Sequence, residues 1–166
     1  MMTDNTNARW IGPDGERVDD SFILSWITRK TLQQGSENID LIVGTDSHKR
    51  GRLFRFVTVV CVYVHGKGGM YYYTLSYEPK THYPKNAQQF RMFQEVQKSV
   101  EMADFLFEHL GIAPIVDIDA SPKDAGQFTS SFSDGLRGLA VSSGYECRIK
   151  SDSVVASSVA DHHTRS

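Results

Sequence analysis

Residues 41–47 read Leu41-Ile42-Val43-Gly44-Thr45-Asp46-Ser47. This apolar run ends at a carboxylate, which is typical of a buried strand that reaches the edge of its sheet. A second apolar run, residues 114–119, ends in the same way at Asp119. If both strands lie at the centre of one sheet, their carboxylates meet at one edge, where α/β proteins place their sites.

The pattern around these two strands predicts a mixed α/β sheet. Hairpin-linked strands come first and strands alternating with helices follow, which indicates a mixed sheet with helices on both faces. Asp20 and Ser21 can cap the first helix, and Gly35 ends it. The predicted helices are residues 20–33, 86–110, 123–142 and 153–163, and the five predicted strands are residues 39–46, 53–65, 70–78, 113–119 and 145–150.

Length and composition favour one compact domain. The chain has 166 residues, 40% of them hydrophobic, enough for a packed core. Within it we distinguish an amino-terminal lead-in and helix, residues 1–38, from the main domain, residues 39–166. The longest apolar run, residues 57–64, is too short to cross a bilayer, and the amino terminus has no hydrophobic signal segment. We therefore expect no membrane partner.

The two cysteines indicate the cellular compartment of the protein. Cys61 and Cys147 have no CxxC spacing, and Cys61 lies in an apolar strand. Two free thiols suit a reducing cytoplasm. We expect a cytoplasmic protein, in a bacterial host or a phage-infected cell, the phage origin being suggested by the small size and the doubled start Met1-Met2.

Acids at the ends of predicted elements are the strongest chemical signal. Asp46 and Asp119 end strands, Asp152 opens the last helix, and Asp117 shares a strand face with Asp119. Divalent magnesium or manganese prefers carboxylate oxygens, and two ions about 4 Å apart can promote phosphodiester hydrolysis. Two like charges on one face of an apolar strand are costly without a cation.

Each acid also has a purely structural interpretation. Asp46 could simply lead the chain out of its strand. Asp119 could cap the following turn, and Asp152 is an ordinary helix N-cap that could serve both purposes. The sequence leaves these alternatives open.

A fourth acid must come from the long helix. Its apolar stripe is predicted to contain Phe93, Val96, Val100, Ala103, Phe107 and Leu110. At 100° per residue, Glu95 falls on the flank of that stripe, whereas Glu101 and Glu108 point toward solvent. The alternative for Glu95 is an exposed pair with Arg91, one turn earlier.

The charge distribution is more informative than the net charge of −2. Residues 48–55 contain four cations and no acid, directly after Asp46. A second basic stretch follows the third predicted strand and contains Lys80, His82, Lys85 and Arg91. Basic flanks beside an acidic centre favour a polyanion held over a metal site, although a solvated loop would read the same way.

These motifs together resemble a known family. The segments that carry the resemblance are residues 42–48, 91–99, 117–119, 150–157 and 160–161. They are similar to the bacterial and phage family of predicted RNase H-like nucleases, over roughly residues 39–163. The RNase H fold that this implies has a five-stranded mixed sheet of order 3-2-1-4-5.

The resemblance also implies a site and a reaction. It implies Asp46, Glu95, Asp119 and Asp152 as catalytic metal ligands for two Mg²⁺ or Mn²⁺ ions, with Asp46 shared between them. The family has a histidine where this chain has Asp117, which leaves open whether Asp117 or Asp119 is the nearer ligand. The residues expected to contact nucleic acid are Ser47, Lys49, Arg50 and Lys85.

The predicted function is therefore metal-dependent hydrolysis of RNA, RNA/DNA hybrid or structured DNA. Branched-DNA resolvases of this superfamily act as dimers, which leaves a homodimer open. Two rival functions remain. One is a nucleic-acid binder without catalysis, and the other is a protein-interaction module that pairs through the tyrosine-rich third strand.

Overall fold

The computed structural model describes residues 7–85, 88–119 and 130–149, with side chains in the last range from residue 134. The described chain forms an α/β fold. In chain order its elements are β1 (Trp10–Ile11), β2 (Arg17–Val18), α1 (Asp20–Gln34), β3 (Ile39–Arg50), β4 (Leu53–Val64), β5 (Gly68–Pro79), α2 (Gln88–Leu110), β6 (Ile115–Ile118), α3 (Ser130–Ser142) and β7 (Cys147–Ile149). Single 3₁₀ turns occupy Ser36–Asn38 and Lys80–His82.

The described strands form one mixed sheet of order β2-β1-β5-β4-β3-β6-β7. The prediction of five strands was wrong, because the sheet has seven. The five longer or later strands keep the predicted order 3-2-1-4-5, and the two added strands come from the amino-terminal lead-in. Each has only two residues, too few for an alternating pattern to reveal them.

Strand pairing fixes which side chains share a face. Antiparallel β3 and β4 pair Val43 with Val60, and parallel β3 and β6 pair Val43 with Val116. These side chains face the helices and join Ile23 and Ala103 in two buried clusters beneath α1, α2 and α3. The described helices therefore pack on one face. The predicted last helix, residues 153–163, lies outside the described residues.

Helix α1 begins at Asp20, but its cap residue is Asp19 and not the predicted Asp20 or Ser21. The Asp19 side chain accepts a hydrogen bond of 2.9 Å from the Phe22 amide, and Gly35 ends the helix with a φ of 88°. A positive φ suits glycine, which has no Cβ to clash with the backbone. The buried residues of this helix are Ile23, Trp26 and Ile27.

The predicted apolar stripe of α2 was partly wrong. Phe93 is 38% exposed and Phe107 is 50% exposed, while Val96, Val100 and Ala103 are buried as predicted. The buried face also includes Met92, Glu95, Ser99, Met102 and Leu106. The sheet beneath the helix presents the hydroxyl groups of Thr45 and Ser47, which hydrogen bond to Ser99 and Glu95 of α2. The buried face of α2 therefore contains polar residues, which a stripe of apolar residues alone does not reveal.

The outer edge of β5 is partly occupied. Strand β1 pairs with its centre, placing Trp10 opposite Thr74 and Ile11 opposite Tyr73. Tyr73 is 8% exposed, whereas Tyr77, on the same strand face, is 50% exposed. The interaction-module prediction relied on this edge, and the lead-in already covers its middle.

None of the helices in the described ranges combines the length and apolar character needed to cross a membrane.

Candidate active site

A narrow pocket opens where two central strands separate. Pairing of β3 with β6 ends at Gly44 and Asp117, but β3 continues to Arg50 beside β4. Helix α2 crosses this gap. The pocket between them is lined by Thr45, Met92, Glu95, Val96, Ser99, Asp117, Ile118 and Asp119.

Glu95 is the buried acid of this pocket. It is 8% exposed, and its Oε1 accepts a hydrogen bond of 2.8 Å from the hydroxyl of Ser47, which is 3% exposed. The alternation of β3 turns Ser47 toward α2 and Asp46 toward the opposite face. Glu95 therefore lies at the junction of helix and sheet, as its helical angle predicted.

The electrostatic surroundings oppose ionisation of Glu95. Burial raises the pKa of Glu95 well above its ordinary value, and the nearby negative charges of Asp46 and Asp119 raise it further. The Ser47 hydrogen bond and the Arg91 charge act in the other direction. A carboxyl group buried among other carboxylates is costly to charge unless a cation is near.

A chain of hydroxyl groups supports the floor of the pocket. The Thr45 hydroxyl lies 2.8 Å from that of Ser99 on α2 and 3.1 Å from that of Thr58 on β4. All three residues are buried. Because buried polar groups are costly when unsatisfied, this network constrains the position of α2 relative to β3 and β4.

The other predicted acids are distributed around the gap. Asp46 is half-buried, and its Oδ1 accepts a hydrogen bond of 2.9 Å from the Ser47 amide. Asp119 is half-buried just after β6, and Asp117 is 5% exposed within β6. Asp152 lies outside the described residues.

Asp117, within β6, and Asp119, just after it, each affect the pKa of a neighbouring group. The charge of Asp119 contributes to the raised pKa of Glu95. The charge of Asp117 instead adds to burial in raising the pKa of Cys61 to about 12. Asp119 therefore lies near enough to Glu95 to oppose its ionisation, and both aspartates line the same pocket as Glu95.

The donor atoms of this region suit a divalent cation. Carboxylates supply the hard oxygens that Mg²⁺ and Mn²⁺ prefer, and the repulsion felt by Glu95 is the effect that a cation would offset. Nevertheless, within residues 7–85, 88–119 and 130–149, no three His, Cys, Asp or Glu side chains form a group that could hold a metal ion. The side chains present are therefore of the type that binds a divalent cation, but the described ones do not form a preassembled cluster.

The predicted cations gather at one end of the sheet. Leu53 pairs with Pro79, and the Lys80 amide donates a hydrogen bond of 3.0 Å to the Arg52 carbonyl. The two basic stretches, separate in sequence, therefore adjoin. We call this surface the basic end; it contains Lys49, Arg50, Arg52, Lys80 and Arg91.

The predicted nucleic-acid contacts divide between this surface and the interior. Lys49 and Lys85 are exposed and Arg50 is half-exposed. Ser47 is buried with its hydroxyl donated to Glu95, which makes it a residue that orients Glu95. Arg50 lies four positions after Asp46 on β3, a rise of about 13 Å.

Phe54 is a feature of the basic end that sequence reasoning missed. It is 3% exposed, and its ring contacts Lys80 and Arg91, whose cationic groups lie 5.8 Å and 5.1 Å from the ring centroid. Tyr83 packs edge-on against the same ring at 5.0 Å. The alternation of β4 could have indicated that Phe54 is buried, but no local pattern indicates that Arg91 of α2 lies over its ring.

A sequence model of the Ribonuclease H-like family matches residues 23–165. The chain belongs to the Ribonuclease H-like family. The resemblance identified from the motifs is thereby confirmed. Membership in this family indicates a nuclease that acts on nucleic acid.

Two further comparisons were made. A search of curated proteins found no match. Among solved structures, the chain is similar to Ciona intestinalis endonuclease V in complex with a 24mer DNA containing an inosine followed by a ribo-adenosine. The identity is 15% and the TM-score 0.40, over 88% of this chain and 67% of that one.

Proposed function

We propose that the protein is a divalent-metal-dependent nuclease that hydrolyses phosphodiester bonds in RNA, RNA/DNA hybrids or structured DNA. The observation that carries this proposal is Glu95, a buried carboxyl group of α2 in the pocket between β3 and β6, where the charges of Asp46 and Asp119 oppose its ionisation. Family membership supports the reaction class. Buried acids that repel one another are more typical of catalytic centres than of a folding core.

Two Mg²⁺ or Mn²⁺ ions are the proposed cofactors. Asp46, Glu95, Asp119 and Asp152 would hold them, with Asp117 as a further candidate. When bound, such ions lower the pKa of water and neutralise charge on the phosphate. Asp117 and Asp119 both line the pocket with Glu95, so both are candidates for the ligand from this part of the sheet.

The protein's own residues have distinct tasks in this scheme. Ser47 orients Glu95 by hydrogen bonding, and its amide orients Asp46. The cations Lys49, Arg50 and Lys85 would contact the phosphates of the substrate. Each phosphate contact adds a salt-dependent increment to the affinity, so binding should weaken steeply as salt is raised.

The metal site is tested by thermal unfolding with and without millimolar Mn²⁺, in the wild type and in Asp46→Asn. We expect Mn²⁺ to raise the wild-type midpoint and to have much less effect on the variant, because ligand binding stabilises the folded state. Asp14→Asn is the matched control, since Asp14 is exposed in the lead-in turn. Calorimetric titration with Mn²⁺ then counts the ions.

Cleavage is tested on labelled RNA, hybrid, duplex and branched DNA of one sequence. Asp46→Asn and Glu95→Gln should abolish metal-dependent cleavage, and Asp14→Asn should not. Comparing Asp117→Asn with Asp119→Asn decides between the two β6 acids. Normal metal-dependent cleavage by Asp46→Asn would refute the site. Salt-sensitive binding without turnover by the wild type would favour a non-catalytic binder.

A further inference from the structure

Arg91 lies one helical turn before Glu95 on α2, so both side chains emerge on the same side of the helix. The Arg91 guanidinium carbon is 5.1 Å from the centroid of the Phe54 ring. Stacking on a buried aromatic ring fixes the plane of a guanidinium group without using its hydrogen bond donors. Arg91 is therefore held in position with its donors still available.

One hydrogen bond donor of Arg91 has no partner within the protein. Its Nε is buried and makes no hydrogen bond. Across the described residues, the ion pairs formed by carboxylates involve other cations, among them Lys98 with Glu78 at 3.4 Å. The Tyr83 hydroxyl also donates to Glu78. Glu78 of β5 is thus engaged by Lys98 and Tyr83.

A buried donor without a partner is costly, and arginine is the side chain best suited to hold an anion through two parallel hydrogen bonds. Arg91 is also close to the pocket in the fold, because it lies one helical turn from Glu95, which lines that pocket. Lys80 lies on the same Phe54 ring, so the positive charge of Arg91 is continuous with the rest of the basic end.

We propose that Arg91 binds a backbone phosphate of the nucleic acid strand next to the bond that is cleaved, and so positions that strand between the carboxylate pocket and the basic end. The inference rests on the proposed nuclease function. It adds a positioning residue, held on Phe54, to the predicted phosphate contacts at Lys49, Arg50 and Lys85.

The test compares Arg91→Gln, Arg91→Lys and wild type in two assays. The first is binding of labelled single-stranded and duplex oligonucleotides in EDTA, measured by fluorescence anisotropy over a range of salt. The second is single-turnover cleavage with Mn²⁺. Arg29→Gln on α1 is the matched control, because it removes the same charge from an exposed position.

We expect Arg91→Gln to weaken metal-free binding about 10- to 100-fold, as expected for loss of a charge-assisted hydrogen bond. The slope of log affinity against log salt should fall by about 0.7–0.9, the value of one phosphate contact. Arg91→Lys keeps the charge and should keep the slope, but it lacks the planar fork and should cleave about 10-fold more slowly. Thermal unfolding checks that each variant is folded.

Two results would overturn the inference. One is binding by Arg91→Gln that equals binding by Arg29→Gln. The other is that the Arg91→Lys variant has the same affinity and cleavage rate as the wild type. Arg91 would then contribute only positive charge and not a specific phosphate contact. Failure of the nuclease proposal is seen separately, as absence of metal-dependent cleavage by the wild type, and the comparison in EDTA still decides the role of Arg91.

Discussion

Replacing Glu95 with glutamine should stabilise the metal-free protein at neutral pH. Glutamine has nearly the same shape, and its carbonyl oxygen can still accept the hydrogen bond from Ser47, which is 2.8 Å long in the wild type. The substitution therefore removes the charge and little else. Burial, Asp46 and Asp119 raise the pKa of Glu95 well above 4.5, so its ionised form is unfavourable in the folded state.

The pH dependence follows from proton linkage. Between the unfolded and the raised folded pKa of Glu95, the folded protein binds a proton that the unfolded chain has lost. The free energy of unfolding of the wild type should therefore fall as pH rises from about 4.5, by at most about 1.4 kcal/mol per pH unit, and level off above the folded pKa. Glu95→Gln removes this contribution, so its advantage grows over the same window.

The assay is urea denaturation of both proteins in EDTA at several pH values. For a chain of this size, 1.4 kcal/mol corresponds to about 3–6 °C in the melting midpoint. Glu101→Gln is the matched control, because Glu101 is an exposed residue of the same helix. If Glu95→Gln and Glu101→Gln give coinciding stability curves, the carboxylate of Glu95 is not strained by burial and the electrostatic argument for the site is lost.

Three further predictions test the supporting structure. Ser47→Ala should lower stability at neutral pH by about 1.5–3 kcal/mol, because buried Glu95 loses a donor, and the loss should shrink as pH falls, as urea denaturation at two pH values will measure. Trp10→Ala should cost about 3–5 kcal/mol, since Trp10 is fully buried and its indole donates to Asp20, as thermal unfolding will measure. Cys61, with a pKa raised to about 12, should resist alkylation at pH 8 in the native protein but react once unfolded, as mass spectrometry will measure.

Each of these has a contradicting result. If Ser47→Ala lowers stability by the same amount at both pH values, the Ser47 hydroxyl does not stabilise the charge of Glu95. A small effect of Trp10→Ala would mean that the lead-in strands add little to the core. Rapid native labelling of Cys61 would contradict its burial beside Asp117.

Local pattern was sufficient for the long elements. Residues 39–64 alternate or run apolar over enough positions to predict β3 and β4, although β3 continues past the predicted end at Asp46 to Arg50. The Gly35 end of α1 follows from capping chemistry, whereas its cap is Asp19 and not the predicted Asp20 or Ser21. The helical angle of Glu95 was also enough to select it over Glu101 and Glu108 as the acid that faces the sheet. These features depend on residues close together in sequence.

The motifs quoted for the resemblance were sufficient for the family, which the matching family model confirms. They also supplied the order of the five strands from β5 to β7 in the sheet. Short segments such as residues 42–48 and 117–119 carry that information because they combine an apolar strand with acids at its end. This combination indicates a functional site as well as a buried strand.

The sequence by itself thus determined the main strands and helices, the family and the acid of α2, because periodicity, capping and short motifs are local properties. Only the tertiary structure decided that the lead-in extends the sheet, that Phe93 and Phe107 face outward, and that Arg91 stacks on Phe54. The physical reason is that strand pairing and helix packing join residues 37 or more positions apart, such as Phe54 and Arg91, through contacts that no local pattern encodes.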